Sequence, residues 1–150
     1  MIEFILYMGL LGIMLVVITD LFTSIIELKL DTESLSAVEQ DGRYLYLKLS
    51  YDVSRADTFT VNDLNPDELI LNIGGTDYTY SIVNGDLIYS YGLVSEKLNS
   101  SDTTISDLSF EAVGTALKAK TVRINYAINS VTETVRGKKQ ILYSTTLKSK

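Results

Sequence analysis

Cysteine, histidine and tryptophan are absent from the 150 residues, and proline occurs once. Without cysteine the chain has no disulfide, no thiolate metal site and no cysteine nucleophile. Without histidine it lacks the Ser-His-Asp triad, the usual zinc ligands and the commonest general base. No nucleophile–base pair is recognisable elsewhere. The composition therefore favours a structural or binding protein that is not an enzyme and holds neither a cofactor nor a metal.

Positive charge is also missing from the beginning of the chain, where the first Lys or Arg is Lys29. Residues 4–18 carry no charge, and mainly apolar residues follow. About 20 apolar helical residues cross the bilayer core of about 30 Å, so residues 1–26 are predicted to span a membrane with Glu3 and Asp20 near its interfaces. A signal peptide is disfavoured because no basic residue precedes the run and no small-x-small cleavage site follows it. A plain membrane anchor is the remaining alternative, but it does not explain why Glu3, whose charge is energetically costly in an apolar helix, stands at the start of the span.

The helical pattern continues beyond the apolar run. No proline precedes Pro66, and apolar residues recur at intervals of three and four from Leu35 onward, as on an amphipathic helix. One helix over about residues 2–57 would be about 80 Å long, so its first half is expected to lie outside the globular part. Residues 27–57 are predicted to be the amphipathic continuation, with Gly42 as a candidate for a bend. The stripe expected on the sheet is Leu35, Val38, Leu45, Leu49 and Val53.

After Thr58 the apolar spacing changes to two, which is typical of strands. Asn84-Gly85 joins two alternating runs and favours the type I′ turn of a β-hairpin, and Gly137 marks a later turn. Residues 58–150 are therefore predicted to form an antiparallel β-sheet of about five or six strands, covered on one face by the helix. The predicted fold class is α+β. The strands are expected at residues 69–73, 78–83, 87–91, 105–113, 122–128 and 141–147.

The first residues of the chain resemble those of the type IV pilins and of the pseudopilins of type II secretion. Mature chains of that family begin Phe-Thr-Leu-Ile-Glu, and Met1-Ile2-Glu3 corresponds to the last three of these residues. Gly12 lies where many pilins have a helix glycine, and residues 98–110 resemble the mid-sheet segment of minor pilins, above all the class of pseudopilin J. The chain lacks the proline near the membrane exit and the C-terminal cysteine pair of main pilus subunits, so the resemblance implies a minor pilin or pseudopilin.

The resemblance gives Glu3 a role in filament assembly, because the family's glutamate pairs with the free N-terminal ammonium of a neighbouring subunit. It further implies a single-pass protein of the bacterial inner membrane, with its β domain outside the cytoplasm, that then enters a cell-surface pilus or a periplasmic pseudopilus. The expected partners are other pilin or pseudopilin subunits, and a prepilin peptidase if a leader lies upstream of Met1. The alternative is a membrane-anchored β domain that binds a partner or ligand without polymerising.

Basic residues are concentrated at the C-terminal end. Residues 1–111 hold 18 acids and 5 bases, a net charge of −13, whereas residues 112–150 hold 1 acid and 8 bases, a net charge of +7. Charge complementarity orients association, so Arg136, Lys138 and Lys139 at a predicted turn are candidate contacts with a partner subunit. A solvated turn is the alternative, and contact with nucleic acid is not favoured.

One acidic segment has part of the spacing of a calcium loop. Asp63, Asn65 and Asp67 are spaced as the first ligands of such a loop, but Glu68 stands where the loop needs glycine and Gly74 where it needs glutamate. An Asx-rich turn at the start of a strand is the favoured interpretation.

Four tyrosines alternate along two neighbouring predicted strands, where they could form an aromatic face for a ligand. Packing across the strands is the favoured interpretation. They are Tyr78, Tyr80, Tyr89 and Tyr91.

Overall fold

The computed structural model describes residues 2–62, 65–114 and 121–150. The chain begins with one helix, α1 (Ile2–Arg55), of 54 residues, which is about 81 Å long at 1.5 Å per residue. Within the described residues, eight strands follow and form antiparallel sheets of five and three strands. The α+β class is confirmed, as is the long N-terminal helix packed on antiparallel strands. The strands are more numerous than the predicted five or six, and they divide between two sheets.

The strands of the first sheet, sheet A, lie side by side in chain order, and those of the second, sheet B, do the same. Sheet A consists of β1 (Thr58–Asn62), β2 (Asn65–Ile73), β3 (Thr76–Val83), β4 (Asp86–Tyr91) and β5 (Val94–Lys97). Sheet B consists of β6 (Thr103–Val113), β7 (Thr121–Thr134) and β8 (Gly137–Lys148).

The end of α1 falls two residues before the predicted boundary at residue 57. The amide of Ala56 bonds to the carbonyl of Val53 at 3.2 Å, and the amide of Asp57 already bonds to the carbonyl of Asn72 at 2.8 Å. The chain therefore leaves the helix because its next backbone donor is taken by a strand of sheet A.

The predicted Asn84-Gly85 turn joins β3 to β4. Both residues have positive φ angles, 54° and 83°, and Val83 pairs with Asp86 across the turn. These are the angles that a type I′ turn requires at its two central positions, so this hairpin is confirmed. The turn expected around Gly137 is also present, and it joins β7 to β8.

Two strands were not predicted, and both lie in sheet A. β5 (Val94–Lys97) is exposed at all four residues, so it has no apolar alternation to reveal it. β1 (Thr58–Asn62) contributes Phe59 and Val61 to the margin of the core. These two alternating apolar residues form too short a pattern to predict a strand from the sequence. Both strands stand at the edges of the sheet, where one face and one row of hydrogen bonds suffice to hold them.

The second half of α1 packs on β7 and β8 and also approaches β2 and β6. Four of the five predicted stripe residues are completely or almost completely buried, as expected: Val38, Leu45, Leu49 and Val53. Leu35 is 41% exposed, so its prediction is wrong, and Ser34 is buried in its place. Neighbouring helical residues point about 100° apart, and the buried face begins one residue earlier than the apolar pattern indicated.

The side of α1 that faces the sheets closes a single hydrophobic core between sheets A and B. Sheet A contributes Leu69, Leu71, Tyr80 and Leu87, which are fully or almost fully buried. Sheet B contributes Val122, Ile124 and Ile128 from its central strand. The core holds the helix in a fixed orientation on the β domain.

α1 continues as one helix through Gly42, the candidate for a bend. This glycine permits close packing of the helix on β8. A Cβ at this position would lie 2.0 Å from the hydroxyl oxygen of Tyr143 and 2.3 Å from its Cζ. Any larger residue would have to displace the ring.

Candidate functional site

The first part of α1 projects from the β domain. Every residue from Ile2 to Leu30 is exposed, and Asp31 is the first that is partly buried. The segment includes a stretch long and apolar enough to cross a membrane, none of it buried within the molecule. We call residues 2–30 the projecting segment.

Two hydroxyl groups of the projecting segment are bonded to its own backbone. Thr19 Oγ1 donates to the carbonyl of Leu15 at 2.9 Å, and Thr23 Oγ1 donates to the carbonyl of Thr19 at 3.0 Å. In hydrocarbon every polar group needs an internal partner, and these bonds supply one. Asp20 is the remaining charged residue between Glu3 and Glu27, near the end of the apolar stretch.

Glu3 lies in the first turn of α1 and is exposed. An acid at this position interacts favourably with the helix dipole, which is a structural role that needs no partner. The first basic side chain of the sequence, Lys29, lies about 39 Å further along the helix. A cationic side chain that pairs with Glu3 must therefore come from another molecule or from a distant part of the chain.

The predicted basic turn lies against α1 at the end of the projecting segment. Thr134 Oγ1 donates to Asp31 Oδ1 at 2.8 Å, and Lys139 Nζ lies 3.0 Å from the same oxygen. Arg136 Nη1 lies 3.8 Å from Asp31 Oδ2. The hydrogen bond from Thr134, and then that from Lys139, lower the pKa of Asp31 below its ordinary value of 3.8.

Two of the three basic residues proposed for partner contact are therefore engaged within the chain. Lys139 is the closer partner of Asp31 and is largely covered, whereas Arg136 is 74% exposed in its side chain. Lys138 is exposed and stands opposite Glu133 across the strand pair. Their predicted contact with a neighbouring subunit stays a prediction.

A second acid of α1, Asp41, binds the connection between the two sheets. Its Oδ2 accepts hydrogen bonds from the amide and hydroxyl of Ser100, at 2.9 Å and 2.8 Å, and from the hydroxyl of Thr103. Asn99 continues this network by accepting from the amide of Leu87 at 2.9 Å and donating to the carbonyl of Thr103 at 2.8 Å. Together these bonds link α1 to the place where the chain crosses from sheet A to sheet B.

A third acid, Asp52, binds sheet A directly. Its Oδ2 accepts from the hydroxyl of Tyr80 and lies 2.9 Å from Lys48 Nζ, which also stands 4.3 Å from the centre of the Tyr89 ring. Burial, together with the bond to Asp52, raises the pKa of Tyr80 above its usual range. Burial opposes the charged form of Lys48, but the hydrogen bond and charge of Asp52 outweigh it and raise the lysine's pKa.

The four alternating tyrosines pack on one another, which agrees with the favoured interpretation. Tyr78 stacks on Tyr89 with ring centroids 5.7 Å apart, and Tyr80 lies 5.1 Å from Tyr89. Tyr91 completes the cluster at 5.6 Å from Tyr89. Tyr80 and Tyr89 are buried, so the cluster is an extension of the core toward the surface.

The calcium-like spacing involves a residue outside the described part of the chain, Asp63. Among residues 2–62, 65–114 and 121–150, no three acidic side chains are grouped as a metal site would require. Lys118 and Lys120, which add to the basic C-terminal end, also lie outside the described residues.

Sequence reasoning did not identify Asp31, Asp41 and Asp52 as the polar contacts of α1. A signal was present, because Asp41 lies three residues after Val38 and Asp52 three residues after Leu49, and this spacing places both acids on the side of the helix that carries the predicted stripe. Acids on the buried side of a helix require partners. The identity of those partners depends on residues far away in the sequence.

No family model matches the chain, and no solved structure gives a significant match. Two curated proteins are similar to part of it, the 3-methyl-2-oxobutanoate hydroxymethyltransferases of Xanthomonas oryzae pv. oryzae strains PXO99A and KACC10331 / KXO85. Each is 31% identical over 90 residues, 57% of this chain and 33% of the enzyme. The chain thus spans about a third of the length of these relatives. So partial a match assigns no family, and the prediction that this chain is not an enzyme stays a prediction.

Proposed function

We propose that the chain is a structural subunit, a minor pilin or pseudopilin, of a type IV pilus-like or type II secretion filament. The observation that supports this proposal is the projecting segment, about 44 Å of helix that is apolar over most of its length and exposed on all sides. Contiguous apolar surfaces of this size mark contact with a membrane or with other proteins. A bilayer covers the segment before assembly, and neighbouring helices cover it in the filament.

The continuity of α1 also supports a filament subunit. The same helix that projects is held in the core by Val38, Leu45, Leu49 and Val53. The projecting segment is therefore rigidly connected to the β domain, without the flexible linker that a simple tether would tolerate. A rigid connection lets the packing of helices fix the position of each β domain on the filament surface.

Glu3 is proposed to set the register between subunits. A carboxylate among packed apolar helices costs several kcal/mol unless it is paired, and Lys29 is about 39 Å away along the helix. The partner consistent with the family resemblance is the N-terminal ammonium of a neighbouring subunit. This pairing becomes available only when a new subunit reaches the correct axial position.

The proposed location follows from the same segment. Before assembly the chain is a single-pass protein of the bacterial inner membrane, with the β domain outside the cytoplasm. It then becomes part of a cell-surface pilus or a periplasmic pseudopilus. Its partners are other pilin or pseudopilin subunits, and a prepilin peptidase processes it if a leader lies upstream.

The first test replaces the glutamate. Glu3→Ala and Glu3→Gln should leave the protein folded and membrane-inserted, because Glu3 lies far from the β domain, but recovery in the sheared filament fraction should fall sharply. Glu39→Gln is the matched control, since Glu39 is an exposed acid of the same helix within the globular part. Equal filament recovery of the Glu3 variants and wild type would contradict the pairing mechanism.

A second test uses the absence of cysteine. Single cysteines placed successively at residues 8–14 sample every side of the projecting segment, and oxidation of isolated filaments should join neighbouring subunits at some of these positions. Leu93→Cys, at the exposed β4–β5 turn, is the control. Membrane-inserted protein that never crosslinks and never enters filaments would favour the alternative, an anchored β domain that does not polymerise.

A further inference from the structure

The turn between β7 and β8 lies beside the end of the projecting segment. Its two residues, Val135 and Arg136, face α1 across an open cleft of about 260 Å³ whose helical wall includes Ser24, Glu27 and Leu28. The bonds of Thr134 and Lys139 to Asp31 hold the turn in this place. The turn is therefore fixed beside the last apolar residues of the projecting segment.

We propose that the Val135-Arg136 turn is a second contact of the β domain with the membrane, made with the lipid headgroup layer. Val135 enters the boundary between headgroups and acyl chains, and Arg136 and Lys138 bind lipid phosphate groups. The inference rests on the proposed insertion of the projecting segment into a bilayer, and it adds a surface that fixes how the β domain stands on that bilayer.

The depth of the turn follows from helix geometry. About 20 residues of helix cross the hydrocarbon core, and the headgroup layer beyond it is roughly 5–8 Å thick, or about three to five residues. A span that begins at Glu3 therefore leaves the hydrocarbon near residue 22 and the headgroups near residue 27. Ser24, Glu27 and Leu28, which the turn faces, lie in this layer or directly above it.

The side chains at and beside the turn have the chemistry of residues that contact the membrane–water interface. Val135 is 79% exposed, so its apolar side chain is available to enter the boundary between headgroups and acyl chains. Arg136 is held only loosely by Asp31, because Lys139 is the closer ion-pair partner. Lys138 is exposed beside it. Long basic side chains next to an apolar residue reach phosphate groups while their alkyl parts stay at the apolar boundary.

The charge around the turn favours lipid over nucleic acid. Arg136, Lys138 and Lys139 are offset by three nearby acids, Glu27, Asp31 and Glu133. Binding to DNA depends on many phosphate contacts that release counterions, whereas only Arg136 and Lys138 are available here, because Lys139 pairs with Asp31. An interfacial contact instead combines one apolar side chain with two cations that are already close to the bilayer.

The chain contains no tryptophan and ten tyrosines, so Val135→Trp introduces a single tryptophan at the turn, whose emission can be excited separately from that of tyrosine. The full-length protein would be reconstituted into vesicles of zwitterionic and anionic phospholipids, and vesicle flotation would show that it is inserted. Leu93→Trp is the matched control, an apolar residue in the β4–β5 turn that is fully exposed. Tryptophan at 135 should emit at shorter wavelength than at 93. Quenching by lipids labelled at the headgroup should be several-fold stronger at 135, and quenching by aqueous acrylamide several-fold weaker.

Changing Arg136 and Lys138 to Gln in the Val135→Trp protein should reduce the lipid quenching, most of all in vesicles rich in anionic lipid. If Val135→Trp disturbs folding, Val135→Cys labelled with an environment-sensitive dye gives the same readout in this cysteine-free chain. Folding is checked by near-ultraviolet circular dichroism before reconstitution.

The outcomes separate this inference from the proposed function. Inserted protein whose residue 135 is as accessible to water as residue 93 overturns the membrane contact and leaves the single-pass anchor in place. Protein that does not float with the vesicles overturns both. A spectral shift that requires added duplex DNA, or the β domain of another subunit, overturns the lipid contact and assigns the turn to that partner.

Discussion

Gly42→Ala is expected to destabilise the protein although alanine is the better helix former. Gly42 is buried in the middle of α1, where it faces β8. The added Cβ would lie 2.0 Å from the Tyr143 hydroxyl oxygen and 2.7 Å from its Cε2, which is closer than real carbon contacts allow. The tyrosine must therefore move.

The ring of Tyr143 is not free to move without loss. It stacks on Tyr126 with centroids 5.1 Å apart and planes 13° from parallel, and such a pair contributes about 0.5–1.5 kcal/mol beyond its buried area. Overpacking a core costs about 1–3 kcal/mol, and replacing a mid-helix glycine by alanine gains back about 1 kcal/mol. The net effect of Gly42→Ala should be a loss of about 0.5–3.5 kcal/mol of unfolding free energy.

The same substitution should have the opposite sign once the ring is removed. In a Tyr143→Ala background the new methyl group meets no hydroxyl or ring, and only the gain in helix propensity remains. Gly42→Ala should then stabilise the protein by about 0.5–1 kcal/mol relative to Tyr143→Ala alone. Because the gain in helix propensity is the same in both backgrounds, the coupling energy of the two sites is the overpacking and stacking terms together, about 1.5–4.5 kcal/mol, which extends above the range of about 0.5–3 kcal/mol usual for contacting residues.

Urea unfolding followed by far-ultraviolet circular dichroism would measure the four free energies, first on the chain without residues 1–24 and then on the full chain in detergent. A neutral or stabilising Gly42→Ala in the wild-type background would refute the packing argument, because it would show that the ring moves at no cost. An equal loss with and without the Tyr143 ring would place the cause in the helix backbone.

Two further predictions concern the boundary of the β domain. Deleting residues 1–24 should leave a soluble domain that unfolds cooperatively, because no buried residue of α1 precedes Ser34; loss of the cooperative transition would show that the deleted segment belongs to the core. Asp31→Asn should remove a pH-dependent part of the free energy of unfolding. The hydrogen bonds from Thr134 and Lys139 lower the pKa of Asp31 below its ordinary value of 3.8. The stabilisation by the Asp31 carboxylate is therefore present above pH 3.8 and is lost as the pH falls through the lowered pKa. The gap between the urea midpoints of wild type and Asp31→Asn should close in that acidic range, and a gap that is independent of pH would contradict the assigned role.

Local patterns were sufficient to predict the elements that depend on local physics. The length of α1 follows from the missing prolines and from apolar spacing, and the β3–β4 hairpin follows from the preference of Asn84-Gly85 for positive φ angles. The division into two sheets was not predictable in this way. It depends on how the connection at Asn99 and Ser100 is bonded to Leu87 and Asp41, and no periodicity within a strand records such bonds.

The features of the candidate site also differ in whether local sequence predicts them. The apolar character of the projecting segment and the position of Glu3 are properties of consecutive residues, so the sequence displays them directly. The place of the basic turn is not such a property. Arg136 and Lys139 were expected to face a neighbouring subunit, but within the chain they lie beside Asp31. These partners are more than 100 positions apart in the sequence, as are Thr134 and Asp31, which are separated by 103 residues.

Three of the acids of α1 bind three different parts of the β domain. Asp31 binds the β7–β8 turn, Asp41 binds the crossing between the sheets, and Asp52 binds β3 through Tyr80. They are spaced about 15–17 Å apart along the helix axis, and apolar residues fill the helix face between them. Apolar contacts alone would allow α1 to slide or rotate by small amounts, because they are not directional, whereas each acid accepts bonds from fixed donors. Three such points, which touch both sheets and the connection between them, fix the β domain against translation and rotation about α1. The proposed filament subunit requires this, because the packing of its projecting segment would then determine where the surface of its β domain lies.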